Sequence, residues 1–167
     1  MNRRVLLAGL AVPLVGGTAA VAQRLDYRRK KEFSVRTEPP ITGHRFELVD
    51  AHDRFGDGSY DPDERFAHRA EVEFDTVGKQ VGVLGRVKSG SRSCKETKLK
   101  SLRYDESADT LTVVVFDDYT HQDICMLEIA IVPYTVSVDF ESNLPSKIIA
   151  KHVKDGSGVV YEETFHK

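Results

Sequence analysis

Hydrophobic residues follow two different patterns along this chain. Residues 5–22 form one uncharged, mostly apolar run near the N-terminus. From about Ala70 onward, apolar residues alternate with polar ones, as Ala70, Val72 and Phe74 do. Side chains of a β-strand point to opposite faces with a period of two, so this alternation predicts strands with one buried and one solvent-facing side. The sequence after the N-terminal run contains no convincing helical period.

Strand-like segments of this kind recur and are separated by turn residues. They lie at about 70–75, 80–87, 98–104, 111–116, 125–132, 134–140, 147–153 and 159–165. The continuous β-branched run at 111–116 predicts a central strand covered on both faces, and Pro133 predicts an edge position or a bulge. Seven or eight short strands with regular turns predict an all-β fold, namely an antiparallel β-sandwich of immunoglobulin-like or meander topology.

The N-terminal run has the form of a leader helix. Arg3 and Arg4 precede it and small residues end it at Ala22, so residues 1–22 have the three parts of a signal peptide. The arginine pair also resembles a twin-arginine signal. The length of the run approaches the ~20 residues that cross a bilayer, which makes an uncleaved membrane anchor the alternative. A basic cluster at 28–31 would instead hold the C-terminal side in the cytoplasm. We expect a secreted or cell-surface protein.

Length and composition leave room for one domain after the leader. The chain has 167 residues, of which 40% are hydrophobic, as is ordinary for a folded protein. Residues 23–43 are polar and basic and contain Pro39-Pro40, so they predict a linker. The β-sandwich domain is therefore expected to span residues 44–167. The formal net charge of -2 indicates no specific nucleic-acid partner.

The two cysteines, Cys94 and Cys125, predict one disulfide bond if the protein is exported. Closing a loop of this length contributes roughly 3–4 kcal/mol in the chain-entropy model. Two buried free thiols in a reducing compartment are the alternative. Neither the spacing nor the neighbouring residues indicate a redox or zinc motif.

Charge is distributed in blocks of alternating sign. Residues 79–103 hold eight Lys or Arg and one acid, whereas residues 104–142 hold nine acids and no Lys or Arg. Neighbouring strands that pair a basic face with an acidic one would explain this, because opposite charges across strands are stabilising. The alternative is a basic patch that binds a polyanion or anionic lipid headgroups. Its candidate anion-binding residues are Arg86, Lys88, Arg92 and Lys95.

An acidic loop at residues 53–64 partly fits a twelve-residue calcium loop. Oxygen ligands and a sharp glycine turn stand at the required spacing, but Phe55 occupies a ligand position without offering an oxygen. An ordinary acidic loop is therefore favoured, with calcium as the one cofactor considered. The candidate metal ligands are Asp53, Asp57, Asp61 and Glu64.

Motifs of known catalytic chemistry are missing from the sequence. It has no Gly-x-Ser-x-Gly elbow, no phosphate-binding glycine loop and no Ser-x-x-Lys. The six histidines form no His-Glu-x-x-His pair. We predict surface positions for the histidines and no catalytic residue.

The order of short motifs resembles small secreted or lipoprotein-like β-sandwich proteins of haloarchaea, most of which have no assigned function. The motifs cover about residues 70–155 and are Val83–Val87, Cys94, Leu102–Asp105, Asp109–Val113, Cys125, Tyr134–Val136, Phe140 and Leu144-Pro145. This chain is less acidic than such proteins and lacks a lipid-attachment cysteine in its leader. The resemblance implies a sandwich fold and export, and it implies no activity.

Taken together, these features predict a noncatalytic secreted or surface-attached binding or structural domain. Its partner would be a cell-surface polymer or protein, with possible membrane attachment through residues 5–22. Calcium binding through residues 53–64 and polyanion or headgroup binding through residues 86–103 are the alternatives, ahead of a hydrolase.

Overall fold

The computed structural model describes residues 33–49, 68–90, 94–119, 125 and 129–167. These residues contain eight strands and no helix. The strands are β1 (Ile41–Leu48), β2 (Arg69–Asp75), β3 (Gln80–Lys88), β4 (Lys95–Asp105), β5 (Thr110–Tyr119), β6 (Ile131–Phe140), β7 (Lys147–Lys154) and β8 (Gly158–His166). The prediction of an all-β, sandwich-like fold is confirmed. The predicted leader lies outside the described residues.

The strands form two four-stranded sheets. One sheet has the order β1-β6-β3-β2, and the other has the order β4-β5-β7-β8. Every pairing is antiparallel except that of β5 with β7, which is parallel. The parallel pair arises because the chain crosses to the first sheet as β6 between β5 and β7, and then returns in the direction of β5. The predicted antiparallel sandwich is therefore present, with β5 and β7 as its one parallel pair among the described strands.

The hydrophobic core lies between the two sheets and follows the period-two pattern. Every second side chain of β3 is buried, including Val81, Val83 and Val87. Burying each such side chain contributes about 1.5–3 kcal/mol. The same alternation along β5, β6 and β7 supplies further core residues, among them Val113, Val115, Val136, Val138 and Ile148. As predicted for the run at 111–116, β5 occupies a central position in its sheet.

The N-terminal segment before β1 also packs against the sandwich. The Phe33 ring meets the Phe116 ring edge-on, with centroids 5.2 Å apart. Val35 packs against the core. The first strand begins at Ile41, so the fold includes part of the segment 23–43 that the sequence suggested to be a linker.

Pro133 lies in β6, which is a central strand, and not at an edge or bulge as the sequence predicted. Its carbonyl oxygen accepts a hydrogen bond from the Val49 backbone N–H at 3.1 Å. The nitrogen and carbonyl of one strand residue point to the same side, so the Pro133 nitrogen also faces the β1 side. Because β1 ends at Leu48, the missing N–H falls where that ladder stops. The strand also begins at Ile131, later than the expected start at Cys125.

The two ends of the sandwich differ. Short turns at 76–79 and 106–109, together with the connection 141–146, join strands at one end, which we call the turn end. Strands β1, β3, β5 and β7 all finish at the opposite end, which we call the loop end. Of the five most exposed large hydrophobic residues in the described part of the chain, four lie there, namely Leu48, Tyr119, Ile129 and Val159.

The predicted disulfide is present at the loop end. Cys94 and Cys125 are joined by an S–S bond of 1.98 Å across a sequence separation of 31. Cys94 directly precedes β4, and Cys125 belongs to the connection between β5 and β6. The bond therefore ties together two connections at the loop end.

We expect the double substitution Cys94→Ser/Cys125→Ser to lower the free energy of unfolding by about 3–4 kcal/mol, because it removes a constraint on the unfolded chain. Urea unfolding at neutral pH measures this loss. Wild-type protein unfolded with a reductant is the control and should lose a similar amount. A loss below about 1 kcal/mol in both samples would contradict the prediction.

Candidate functional site

A cluster of polar side chains closes the core at the loop end. In β5 the inward-facing positions are apolar until Asp117, and in β7 they are apolar until His152. The alternation that buries valines in the middle of the sandwich thus buries polar groups at this end. We call the following residues the loop-end cluster: His68, Lys88, Ser89, Lys95, Asp117, Tyr134, His152, Lys154 and Tyr161.

Asp117 is the buried carboxylate of this cluster. Its side chain is 0% exposed. One oxygen accepts a hydrogen bond from Ser89 Oγ at 2.7 Å, and the other lies 3.0 Å from Lys95 Nζ. Lys95 Nζ also lies 4.5 Å from the centroid of the Tyr119 ring. Since a buried carboxylate is stable only when it is paired and hydrogen-bonded, Ser89 and Lys95 hold Asp117 in place.

Two further lysines lie at the same end of the core. Lys154 is the register partner of Asp117 on the parallel neighbouring strand, and Lys88 ends β3. Burial lowers the pKa of Lys154; the Asp117 carboxylate opposes this effect, and Lys95 and Lys88 add to it. Among the described residues, Lys154 therefore lies near the Asp117 carboxylate and near two other ammonium groups, those of Lys95 and Lys88.

A hydrogen-bond chain runs from the core to this group of charges. His152 is 0% exposed, and its Nε2 lies 2.7 Å from Tyr134 Oη. Its Nδ1 lies 3.1 Å from Nδ1 of His68, to which the Lys88 backbone N–H also donates at 3.3 Å. An N–H can only donate, so His68 Nδ1 is an acceptor and His152 Nδ1 carries the proton. His152 Nε2 then accepts from the Tyr134 hydroxyl, which fixes the tautomer of His152.

Both histidines are neutral in this chain. Burial lowers the pKa of His152 to about 3, and the neighbouring His68 adds to the effect. Burial lowers the pKa of His68 to about 4, with Lys154 and Lys88 lowering it further and Asp117 opposing them. Burial also raises the pKa of the Tyr134 hydroxyl, which therefore stays protonated as a donor.

Tyr161 covers His152 from β8. The two rings are stacked with centroids 4.6 Å apart, and the two residues are register partners on neighbouring strands. The Tyr161 hydroxyl accepts from the Ala70 backbone N–H at 2.8 Å and donates to Glu163. This arrangement links β8 to β2 beside the histidines.

Gly85 allows Tyr134 to reach His152. The two residues are register partners on β3 and β6, and both are buried. A Cβ atom on Gly85 would lie 2.6 Å from Cε1 of Tyr134 and closer still to Cζ and Oη. Only glycine leaves room for the ring to lie over β3 and for its hydroxyl to bond to the opposite sheet.

The structure brings together two of the four predicted anion-binding residues. Lys88 and Lys95 belong to the loop-end cluster. Arg86 lies further inside the sheet, opposite Pro133 in register, and Arg92 is outside the described residues. Lys154 was not predicted, although it continues the alternation of β7 at the end of the strand.

The predicted calcium ligands Asp53, Asp57, Asp61 and Glu64 lie outside the described residues. Among the residues that the structure does describe, no group of three or more His, Cys, Asp or Glu side chains is arranged to hold a metal ion. The calcium site stays a prediction.

The expectation that the histidines lie on the surface was wrong for His152. His44 and His166 are exposed, whereas His152 is among the largest fully buried side chains. The signal was present in the sequence: Ile148, Ala150 and His152 occupy successive inward positions of one strand. The alternation of buried and exposed positions along β7 places His152 inside, but the sequence did not show which side chains form hydrogen bonds with it.

The predicted pairing of a basic strand with an acidic one is confirmed between β4 and β5. Lys95 pairs with Asp117, and Lys98 Nζ lies 3.3 Å from Asp118 Oδ2. Part of the basic block therefore balances acids of the neighbouring strand.

No family model, curated protein or solved structure matches this chain. The described part of the chain contains no helix long and apolar enough to span a membrane. Fold and cluster together define a disulfide-linked β-sandwich with a polar cluster at its loop end. The resemblance to haloarchaeal sandwich proteins stays a prediction.

We expect stability to fall as the pH is lowered from about 7 to about 5, because unfolded histidine takes up a proton near pH 6.5 and buried His152 does not. The contribution of His152 to the slope is at most about 1.4 kcal/mol per pH unit. His152→Gln, which cannot titrate, should flatten the slope measured by urea unfolding. His44→Gln on the exposed surface is the control. An unchanged slope in His152→Gln would contradict this assignment.

Gly85→Ala should lower the free energy of unfolding by roughly 1–3 kcal/mol, because the added methyl overlaps the Tyr134 ring in a packed core. Gly82→Ala is the matched control on the same strand, since its Cβ would lie 3.9 Å from Glu73 Cβ, an ordinary contact. Urea unfolding of both variants measures the difference. Equal stability of the two variants would show that Tyr134 does not depend on Gly85.

Proposed function

We propose that this protein is a noncatalytic, exported binding domain that binds an anion at the loop end through Lys88, Lys95 and Lys154. The observation that carries the proposal is that three lysines, Lys88, Lys95 and Lys154, come together at the end of the core that contains the buried carboxylate of Asp117. An exported domain is in keeping with the Cys94–Cys125 disulfide, because disulfides persist in oxidising compartments.

The charges favour an anion over a cation as the ligand. Asp117 already has both oxygens occupied, by Ser89 and by Lys95. A cation would add to the positive charge, whereas an anion near Lys88 and Lys154 would restore the balance. Burial is the largest cause of the lowered pKa of Lys154, Asp117 opposes it, and the ammonium groups of Lys95 and Lys88 add to it. A bound anion would offset the repulsion among the three ammonium groups.

The position of the cluster also supports a binding role. In β-sandwiches, the connections at one end of the sheets form surfaces that a rigid scaffold holds in place. Here the lysines lie where β3, β5 and β7 finish and where β4 begins. The disulfide fixes two connections beside them.

The hydrogen bonds of the cluster support a noncatalytic role. The Ser89 hydroxyl is buried and donates to the Asp117 carboxylate, so it is engaged in a hydrogen bond inside the core and is not presented to a substrate. Both nitrogens of His152 are engaged, one with Tyr134 and the other with His68. These contacts stabilise the end of the core, and they engage the ammonium group of Lys95 but not those of Lys88 and Lys154.

The ligand class is an oxyanion, such as sulfate, phosphate or the carboxylates of an anionic polymer. Lysine ammonium groups bind such ions as point charges without a fixed planar geometry. Three lysines on three different strands suit a ligand with several acceptor oxygens. A free ion and the anionic group of a polymer or lipid share this chemistry.

We expect sulfate to bind the full chain and to shift the backbone amide resonances of Lys88 and Lys154 in NMR titrations. The affinity should fall as NaCl is raised from about 20 mM to about 200 mM, because salt screens exposed charges. Lys154→Gln should raise Kd by about tenfold, which corresponds to ~1.4 kcal/mol.

Lys147→Gln is the matched control, because Lys147 begins the same strand at the turn end. It should leave the sulfate affinity unchanged. Equal effects of Lys147→Gln and Lys154→Gln, or no shift with sulfate at low salt, would overturn the proposed anion site.

A further inference from the structure

We propose that anion binding at the loop end is coupled to the protonation of His68, so that the site takes up a proton together with its anion. The inference rests on the proposed function, because the same three lysines hold the anion. It adds His68 as the group through which binding responds to pH.

His68 connects the buried chain with the charged surface. It directly precedes β2 and is half-buried, whereas His152 is fully buried. Its ring centroid lies 5.2 Å from that of His152 and 6.2 Å from that of Tyr161. His68 is therefore the member of the histidine pair that solvent protons reach first.

The charged and titratable groups facing His68 come from four strands. They are Lys88 on β3, Asp117 on β5, Lys154 and His152 on β7, and Tyr161 on β8. The two lysines disfavour an imidazolium ion at His68, and Asp117 favours one. An anion bound among the lysines adds negative charge next to the ammonium groups of Lys88 and Lys154. The balance at His68 then favours the protonated ring.

Protonation of His68 reverses the hydrogen-bond chain. The Nδ1 atom of His68 changes from acceptor to donor, so Nδ1 of His152 must become the acceptor. His152 stays neutral with its proton on Nε2, and it donates to the hydroxyl oxygen of Tyr134. One proton has then been taken up from solvent, and it resides on His68.

The reversal also affects the backbone of β3. The Lys88 N–H now donates to Nδ1 of His68 at 3.3 Å, and it loses this acceptor when Nδ1 is protonated. Lys88 is itself one of the lysines proposed to bind the anion. Ser89, the next residue, donates a hydrogen bond to Asp117. The proton on His68 and the anion therefore act on the same end of β3.

The coupling predicts the direction of the pH dependence. Without an anion, the pKa of His68 is about 4, so the ring is neutral from neutral pH down to about pH 5. A bound anion raises this pKa toward the ordinary value near 6.5. By linkage, sulfate must then bind more tightly as the pH falls from about 7 to about 5, by roughly threefold or more.

Calorimetry with sulfate tests this, because the charge of sulfate does not change in this pH range. Titrations at about pH 5.5 in two buffers of different ionisation enthalpy give the number of protons taken up. We expect a clear fractional uptake for the wild type. His68→Asn keeps an acceptor for the Lys88 N–H but cannot titrate, so it should bind sulfate with no proton uptake and a flat pH dependence.

His166→Asn is the control, since His166 is exposed at the end of β8 away from the cluster. It should behave as the wild type does. NMR titration of the His68 ring in the wild type, with and without sulfate, gives a second measurement that does not depend on any variant folding. Sulfate should raise the pKa of His68 above its value of about 4.

The outcomes separate the two proposals. If sulfate binds without proton uptake and leaves the pKa of His68 unchanged, the coupling is overturned and the anion site stands. If sulfate does not bind the wild type at any pH at low salt, the anion site itself is overturned. If His68→Asn retains the full proton uptake, another group carries the proton and the assignment to His68 is wrong.

Discussion

The loop end is organised by the burial of one carboxylate. Asp117 occupies an inward position of a central strand, so it cannot turn to solvent without reversing the register of β5. Its charge has to be balanced inside the protein, and Ser89 and Lys95 do this from two other strands. Because the carboxylate needs these partners, it fixes where β3 ends and where β4 begins. Lys154 joins them as its register neighbour.

The hydrogen bond between Tyr134 and His152 is a second polar contact that joins the two sheets. It crosses the core from β6 in one sheet to β7 in the other. The bond satisfies two polar groups that would otherwise be costly to bury, and it requires the bare backbone of Gly85 beneath the ring. Lys88 connects the two contacts. Its backbone N–H donates to His68, which neighbours His152, and its ammonium group lies near Lys154, the register partner of Asp117. Structural polar contacts and the proposed anion site are therefore parts of one network.

The net charge of -2 does not show how charges are distributed at the loop end. Some acids and bases pair between neighbouring strands, as Lys98 and Asp118 do. Among the described residues of the loop end, β3, β4 and β7 each contribute a lysine, and β5 contributes the inward carboxylate of Asp117. Which charges meet there depends on which strand ends become neighbours.

The sequence by itself determined most of the strands and the layer architecture, but it did not predict β1, and it predicted two segments, 125–132 and 134–140, where the structure has β6. A period of two and frequent turn residues produce amphipathic strands that can bury one face only against a second sheet. The disulfide also followed from the count of two cysteines. The inward position of His152 was equally contained in the alternation of Ile148, Ala150 and His152, but surface placement is the usual expectation for histidine.

Only the tertiary structure decided the pairing of these elements. The parallel contact of β5 with β7, and the place of Pro133 in a central strand, depend on which strands become neighbours after the chain crosses between sheets. The same is true of the cluster, since His68 and His152 are 84 residues apart and Ser89 and Asp117 are 28 apart. Local patterns fix which way a side chain points, whereas its partners are set by long-range packing.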